Sequence, residues 1–164
     1  MDRRILNYIS KIQSYRTAIK NLHWSSKNMS EHKLNDEIDD KIAEYQDEFA
    51  EIAQGIFGKI EVGKLKPKYY KVESTKKLLE DILRDTKAIY SYLKGRQFIG
   101  LRSVVETFIA DVNKYQYLLK FVLKEDVKRR LSMVVESKIN KQRIQEYRLR
   151  KIIRENIRKT LKNI

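Results

Sequence analysis

From Leu101 to Ile164 there is neither a glycine nor a proline, and the whole chain of 164 residues holds only five glycines and one proline. Sheets and barrels need a turn every eight to twelve residues or so, built largely from these residues. A chain so poor in breakers is restricted to a few long helices. Hydrophobic residues make up 41% of it, enough for a core. The absence of cysteine removes disulfides, thiolate metal sites and cysteine nucleophiles, and fits a reducing compartment. No apolar run approaches the length of about 18 residues that a membrane span needs.

Periodicity of three and four residues predicts where the helices lie. A first helix over about 4–27 carries Ile5, Ile9, Ile12, Ile19 and Leu22, with Tyr8 and Tyr15 filling the stripe. Ser30 is a candidate cap for a second helix carrying Leu34, Ile38, Ile42, Tyr45, Phe49, Ile52 and Ile56. Residues 59–72, with Pro67, read as a connector. A third helix from about Ser74 carries Leu78, Leu79, Ile82, Leu83, Ile89, Tyr90 and Leu93. Gly95 and Gly100 bracket a turn before a fourth helix, with Leu101, Val104, Val105, Phe108, Ile109, Val112, Tyr115, Leu118 and Leu119. The expectation is an all-α fold: a four-helix bundle over 1–123 and a helical extension over 124–164. The extension is either a fifth helix or a continuation of the fourth.

Charge is divided along the chain. The net charge is +14, and residues 124–164 hold 14 Lys+Arg against five acids, a net of +9. Residues 31–51 run the other way, with nine acids against Lys33 and Lys41. The extension is basic through Lys128, Arg129, Arg130, Lys138, Lys141, Arg143, Arg148, Arg150, Lys151, Arg154, Arg158 and Lys159. It is also amphipathic: Leu131, Val134, Val135 and Ile139 form one apolar stretch, and Ile153, Ile157, Leu161 and Ile164 another. A basic helix with an apolar stripe is expected to pack on something. The candidates are a nucleic-acid backbone, an acidic protein surface such as the 31–51 helix of a neighbouring copy, and an anionic membrane surface. The last ranks lowest, because residues 124–164 hold no Trp or Phe.

The two histidines, His23 and His32, fall where the first helix passes to the second. His32 and Asp36 are four residues apart and share a helix face, as do Asp47 and Glu51 further along. At 1.5 Å per residue the two pairs stand about 16 Å apart, so one helix cannot close both around a metal bonded at about 2 Å. An antiparallel second copy could, making two equivalent mixed nitrogen and oxygen sites.

The segment Leu22-His23-Trp24, the spacing His32-x-x-x-Asp36 and the run Asp47-Glu48-Phe49-Ala50-Glu51 resemble the signature of Dps-type mini-ferritins. The resemblance covers roughly residues 15–58. It implies a ferritin-like bundle, a closed homo-oligomer and a site that binds and oxidises ferrous iron between subunits. His23, His32 and Asp36 would come from one subunit, Asp47 and Glu51 from its two-fold partner. The sequence departs from the family in four ways. The histidines are nine residues apart, closer than usual. The glycine and aromatic residue usually between them are missing, Ile52 stands where the family has arginine, and the basic extension is foreign to it. The shorter spacing is closer to a small group of phage-encoded, Dps-related proteins of unknown function.

Two functions are therefore expected. One is a Dps-like oligomer with iron at a dimer interface, a ferroxidase if the site is retained, and a basic helix for nucleic acid or an acidic partner. The other is a virion structural protein, a ring or adaptor, using the bundle as scaffold without catalysis. The corresponding locations are the cytoplasm and the virion. The intrasubunit di-iron bundle is excluded, since Lys20 and Met29 stand where Glu-x-x-His would need glutamates. No Gly-rich phosphate loop occurs, and no Ser-His-Asp set is credible with histidines confined to positions 23 and 32.

Overall fold

A computed structural model of the chain describes residues 1–61 and 63–162, with side chains up to residue 150. Four helices follow one another: α1 (Arg3–Trp24), α2 (Met29–Phe57), α3 (Thr75–Tyr92) and α4 (Ile99–Lys162), with a 3-10 turn at Arg96–Phe98. The chain is all-helical among the described residues. None of these helices is long and apolar enough to cross a membrane.

Side-chain oxygens start three of the helices by taking orphan backbone N–H groups. Asp2 accepts from Arg4 and Ile5, and Ser74 accepts from Lys77. At α2 the cap is Asn28, whose Oδ1 accepts from the Glu31 amide at 2.8 Å. Ser30, the residue expected there, lies inside the first turn, because Asn28 already holds the extended backbone a cap requires. Gly58 ends α2 at φ +86°, a conformation open to glycine. Gly100 does not mark a turn: it lies in the first turn of α4, where Ile52 packs close to it.

The contacts fix the helix directions. Tyr8 meets Thr86, and Asp2 meets Tyr92, so α1 and α3 are antiparallel. Lys20 pairs with Asp39 while Tyr8 meets Tyr45, so α1 and α2 are antiparallel. Lys41 pairs with Asp111 and Tyr45 stacks on Phe108, setting α4 antiparallel to α2. Helices α2 and α3 consequently run the same way, and residues 58–74 must return the chain from one end of the bundle to the other.

That return is tied to α1 by two serines. Ser10 and Ser14 donate their hydroxyls to the carbonyls of Leu6 and Ser10, as mid-helix serines do, and accept the amides of Lys66 and Lys68. Four helical residues rise about 6 Å and two extended residues about 6.6 Å, so the two ladders stay in register. Pro67, which has no N–H to offer, falls between the two bonded amides. Tyr70 then turns inward, edge-on to Tyr15 at 4.9 Å, and donates to Asp81 at 2.5 Å.

The core draws on all four helices. Ile5, Ile9, Ile12, Ile19, Ile38, Ile42, Leu78, Leu79, Ile82, Leu101 and Val105 are fully buried. Within it Tyr8 donates to Thr86 at 3.0 Å and pairs with the Tyr45 hydroxyl at 2.8 Å. Burial pushes both tyrosines well above the ordinary phenol range, so they stay neutral donors. Between α1 and α3, Asp85 accepts from Tyr15 and Arg84 and pairs with Lys11. Burial works against its charge, but these partners outweigh burial and hold the carboxyl below its usual value.

The chain divides into two units, Met1–Leu123 and Lys124–Ile164. In the second, the backbone is helical to Lys162, as part of α4 rather than a separate fifth helix. Every described side chain from Val127 to Arg150 is exposed.

Candidate functional site

The turn between α1 and α2 is closed by its two histidines. His23 is buried at the end of α1, and His32 stands one turn into α2. Their rings stack with centroids 3.8 Å apart and planes tilted by 32°. Each places its Nδ1 against the other's backbone carbonyl: His23 Nδ1 lies 3.2 Å from the His32 oxygen, and His32 Nδ1 lies 3.1 Å from the His23 oxygen. A carbonyl only accepts, so each Nδ1 carries a proton and donates it, and in a neutral ring held this way the lone pair is on Nε2. This is the arrangement in which a metal-binding imidazole is usually held. The stack also has a plain structural effect, clasping the helix ends across a turn with two mutual hydrogen bonds.

The carboxylates are placed unevenly. Asp36 Oδ1 lies 3.6 Å from His23 Nδ1 and 3.4 Å from the Lys20 ammonium. It thus stands on the Nδ1 side of His23 and is already paired to a cation. Lys20 also reaches the buried Asp39 at 3.0 Å. Asp47 and Glu51 are exposed on α2, three turns and more beyond Asp36, or about 16 Å along the axis. Among the described residues, no three or more histidine and carboxylate side chains are gathered so that one chain could hold a metal ion.

Lys20 and Asp39 do not stand out from the background in the sequence. Asp39 counts there as one more acid of an acidic helix, although it sits one residue beyond the buried Ile38 and is itself buried. The available signal was its offset of four from Asn35, which is also buried and accepts from Thr75 at 2.8 Å.

These residues lie within a recognised sequence family. The sequence model of a family of unknown function, DUF5856, matches residues 23–119. The chain belongs to this family. No curated protein and no solved structure is significantly similar to it. The DUF5856 match begins at His23, takes in Asp36, Asp47 and Glu51, and stops short of the basic extension. The histidine turn and the acidic helix thus lie within the matched region, and the extension lies outside it.

The acidic helix has a clear geometry. Asp36, Glu37, Asp40, Glu44, Asp47, Glu48 and Glu51 are all exposed. At 100° per residue they fall within an arc of about 120° on α2. In the separate C-terminal unit, Val127, Leu131, Val135 and Ile139 follow one another at intervals of four, each between 45% and 62% exposed. Lys128, Arg129, Arg130, Lys138, Lys141, Arg143, Arg148 and Arg150 are exposed around them. For Lys151, Arg154, Arg158 and Lys159 only the helical backbone belongs to the described residues.

Proposed function

We propose that the chain is an assembly protein: a ferritin-like bundle whose basic C-terminal helix docks on the acidic α2 face of a neighbouring copy, building a homo-oligomer. The carrying observation is the row Val127, Leu131, Val135 and Ile139, exposed and rimmed by cations. A phosphate backbone has no use for an apolar row, whereas a protein surface satisfies both the row and the rim. The same chain presents the opposite charge, seven exposed acids on one arc of α2. A contact of this kind joins unlike surfaces, so it propagates into a ring or a filament. The parallel α2 and α3, joined by the long return of residues 58–74, support the ferritin-like reading of the bundle, which is the bundle type with one long crossover.

Light scattering on the full chain and on residues 1–123 tests this. The full chain is expected to form an oligomer of defined mass that loosens as salt rises, and residues 1–123 a smaller species. Equal stoichiometry of the two would overturn the docking role. If the deletion instead abolished only nucleic-acid binding, the extension would be a nucleic-acid arm.

A second reading, iron bound and oxidised between two copies as in the Dps-type mini-ferritins, is favoured by one observation. Both Nδ1 atoms are held by carbonyls, so it is Nε2 of each neutral ring that is left to bind a metal. Imidazole and carboxylate donors suit ferrous iron or zinc. Bound iron supplies the redox chemistry, with oxygen or peroxide as oxidant. His23 and His32 would bind through Nε2, Asp36 would orient His23, and Asp47 and Glu51 of a second copy would bring the anionic oxygens. The rings are stacked with their planes only 32° apart, so bringing both Nε2 atoms onto one metal at about 2 Å requires a ring rotation. Metal analysis of the purified chain decides. A shared site loses its metal in both the His23→Ala/His32→Ala and the Asp47→Ala/Glu51→Ala variants. Retention in the second variant would rule out sharing between copies.

A further inference from the structure

The return segment carries a second charged surface, distinct from the basic helix. Residues 64–71 read Lys-Leu-Lys-Pro-Lys-Tyr-Tyr-Lys, with four lysines and no acid. Lys64, Lys66, Lys68 and Tyr69 line an open groove of about 510 Å³ against α1, whose Asn7 and Lys11 form the opposite wall. Lys11 pairs with Asp85 and Lys64 with the exposed Glu61. Lys66 and Lys68 have no carboxylate within ion-pair distance among the described residues.

The groove is held in shape by its backbone. The Lys66 amide is fixed to the Ser10 hydroxyl on α1 and the Lys68 amide to the Ser14 hydroxyl. Three lysines therefore recur every second residue on a pinned, extended stretch, about 6.6 Å apart along it. The two tyrosines divide the remaining work. Tyr70 is the anchor, bonded to Asp81 and packed on Tyr15, and burial with the neighbouring Asp81 pushes its hydroxyl up to about 12. Tyr69 lines the groove and is 77% exposed there.

We propose that this groove binds single-stranded nucleic acid, the lysines following the phosphates and Tyr69 stacking on a base. Regularly spaced cations beside an exposed aromatic ring are the combination that holds single strands without sequence preference. Stacking on Tyr69 requires an unpaired base, and no helix of the groove is free to enter a duplex groove, which selects against paired strands. The site lies wholly within residues 1–123 and does not rest on the docking role of the basic helix.

The test uses the full chain and the fluorescence anisotropy of a labelled oligothymidylate, with duplex DNA, inorganic polyphosphate and polyglutamate as competitors. Lys66→Ala/Lys68→Ala is expected to weaken oligothymidylate binding about fivefold or more. It should also reduce the slope of log affinity against log salt by about 1.4, since each phosphate left without its lysine lowers that slope by about 0.7 on a single strand. Tyr69→Ala is expected to weaken oligothymidylate about fivefold, with Tyr69→Phe restoring it, and to leave polyphosphate unchanged. The substituted side chains are exposed and the pinned amides remain, so thermal unfolding should not move. If Lys66→Ala/Lys68→Ala does unfold earlier, the Tyr69 pair of variants decides alone. Parental affinity in both variants overturns the proposal. So does a lysine effect without a tyrosine effect, which would mark a general anion patch. Polyglutamate competing as well as oligothymidylate would assign the groove to an acidic protein instead.

Discussion

Single residues in this bundle carry stability through buried polar pairs. The Tyr8 hydroxyl sits buried between Tyr45 and Thr86. Tyr8→Phe removes a donor and leaves two buried groups short of a partner, so it should cost about 1–3 kcal/mol in urea unfolding. Asp85 gives the protein an acid limit. Lys11, Tyr15 and Arg84 hold its carboxyl below the unfolded value of about 3.9, and Tyr70, Lys77 and Arg84 do the same for Asp81 against the cost of burial. A group depressed in the folded state stabilises above its unfolded value, and that stability is lost as pH falls. Stability should therefore decline below about pH 4, and Asp85→Asn, less stable at neutral pH, should show a shallower decline in the same range. Unfolding midpoints measured across that range check both statements.

At the scale of elements, helix α3 was readable because local and global signals agree. Ser74 caps it, and Leu78, Leu79, Ile82, Ile89 and Leu93 are spaced to face one side and are buried there. The start of α2 was misread by two residues because two polar residues competed for the cap and only backbone conformation separates them. The route of residues 58–74 was not readable. It depends on Ser10 and Ser14, which in sequence are ordinary small polar residues in a helix, and on a register match between two different ladders. Ser10→Ala/Ser14→Ala should expose this dependence. The Lys66 and Lys68 amides lose their acceptors, so their hydrogen exchange should accelerate at least tenfold, with about 0.5–1.5 kcal/mol lost per hydrogen bond. Equal exchange rates would mean the return is held by Tyr70 and its neighbours alone. The histidine pair shows a similar limit: sequence brought His23 and His32 together, but stacking and the reciprocal carbonyl bonds depend on how the turn closes.

For the molecule as a whole, the division of charge seen in the sequence corresponds to two units with different burial. Among the described residues the buried hydrophobic ones run from Ile5 to Leu119, so residues 1–123 should unfold cooperatively without the extension. From Val127 to Arg150 nothing described is buried, and the apolar row there is left uncovered. Docking of that row on the acidic arc of α2 is the central claim, and charge reversal in the full chain tests it most directly. Lys128→Glu/Arg129→Glu/Arg130→Glu and Asp40→Lys/Glu44→Lys/Glu48→Lys should each reduce the oligomer to a smaller species by light scattering. Combining the two sets should restore the parental mass, since opposite charges again face each other. An oligomer unchanged by either set, or one not restored by the combination, would contradict the claim.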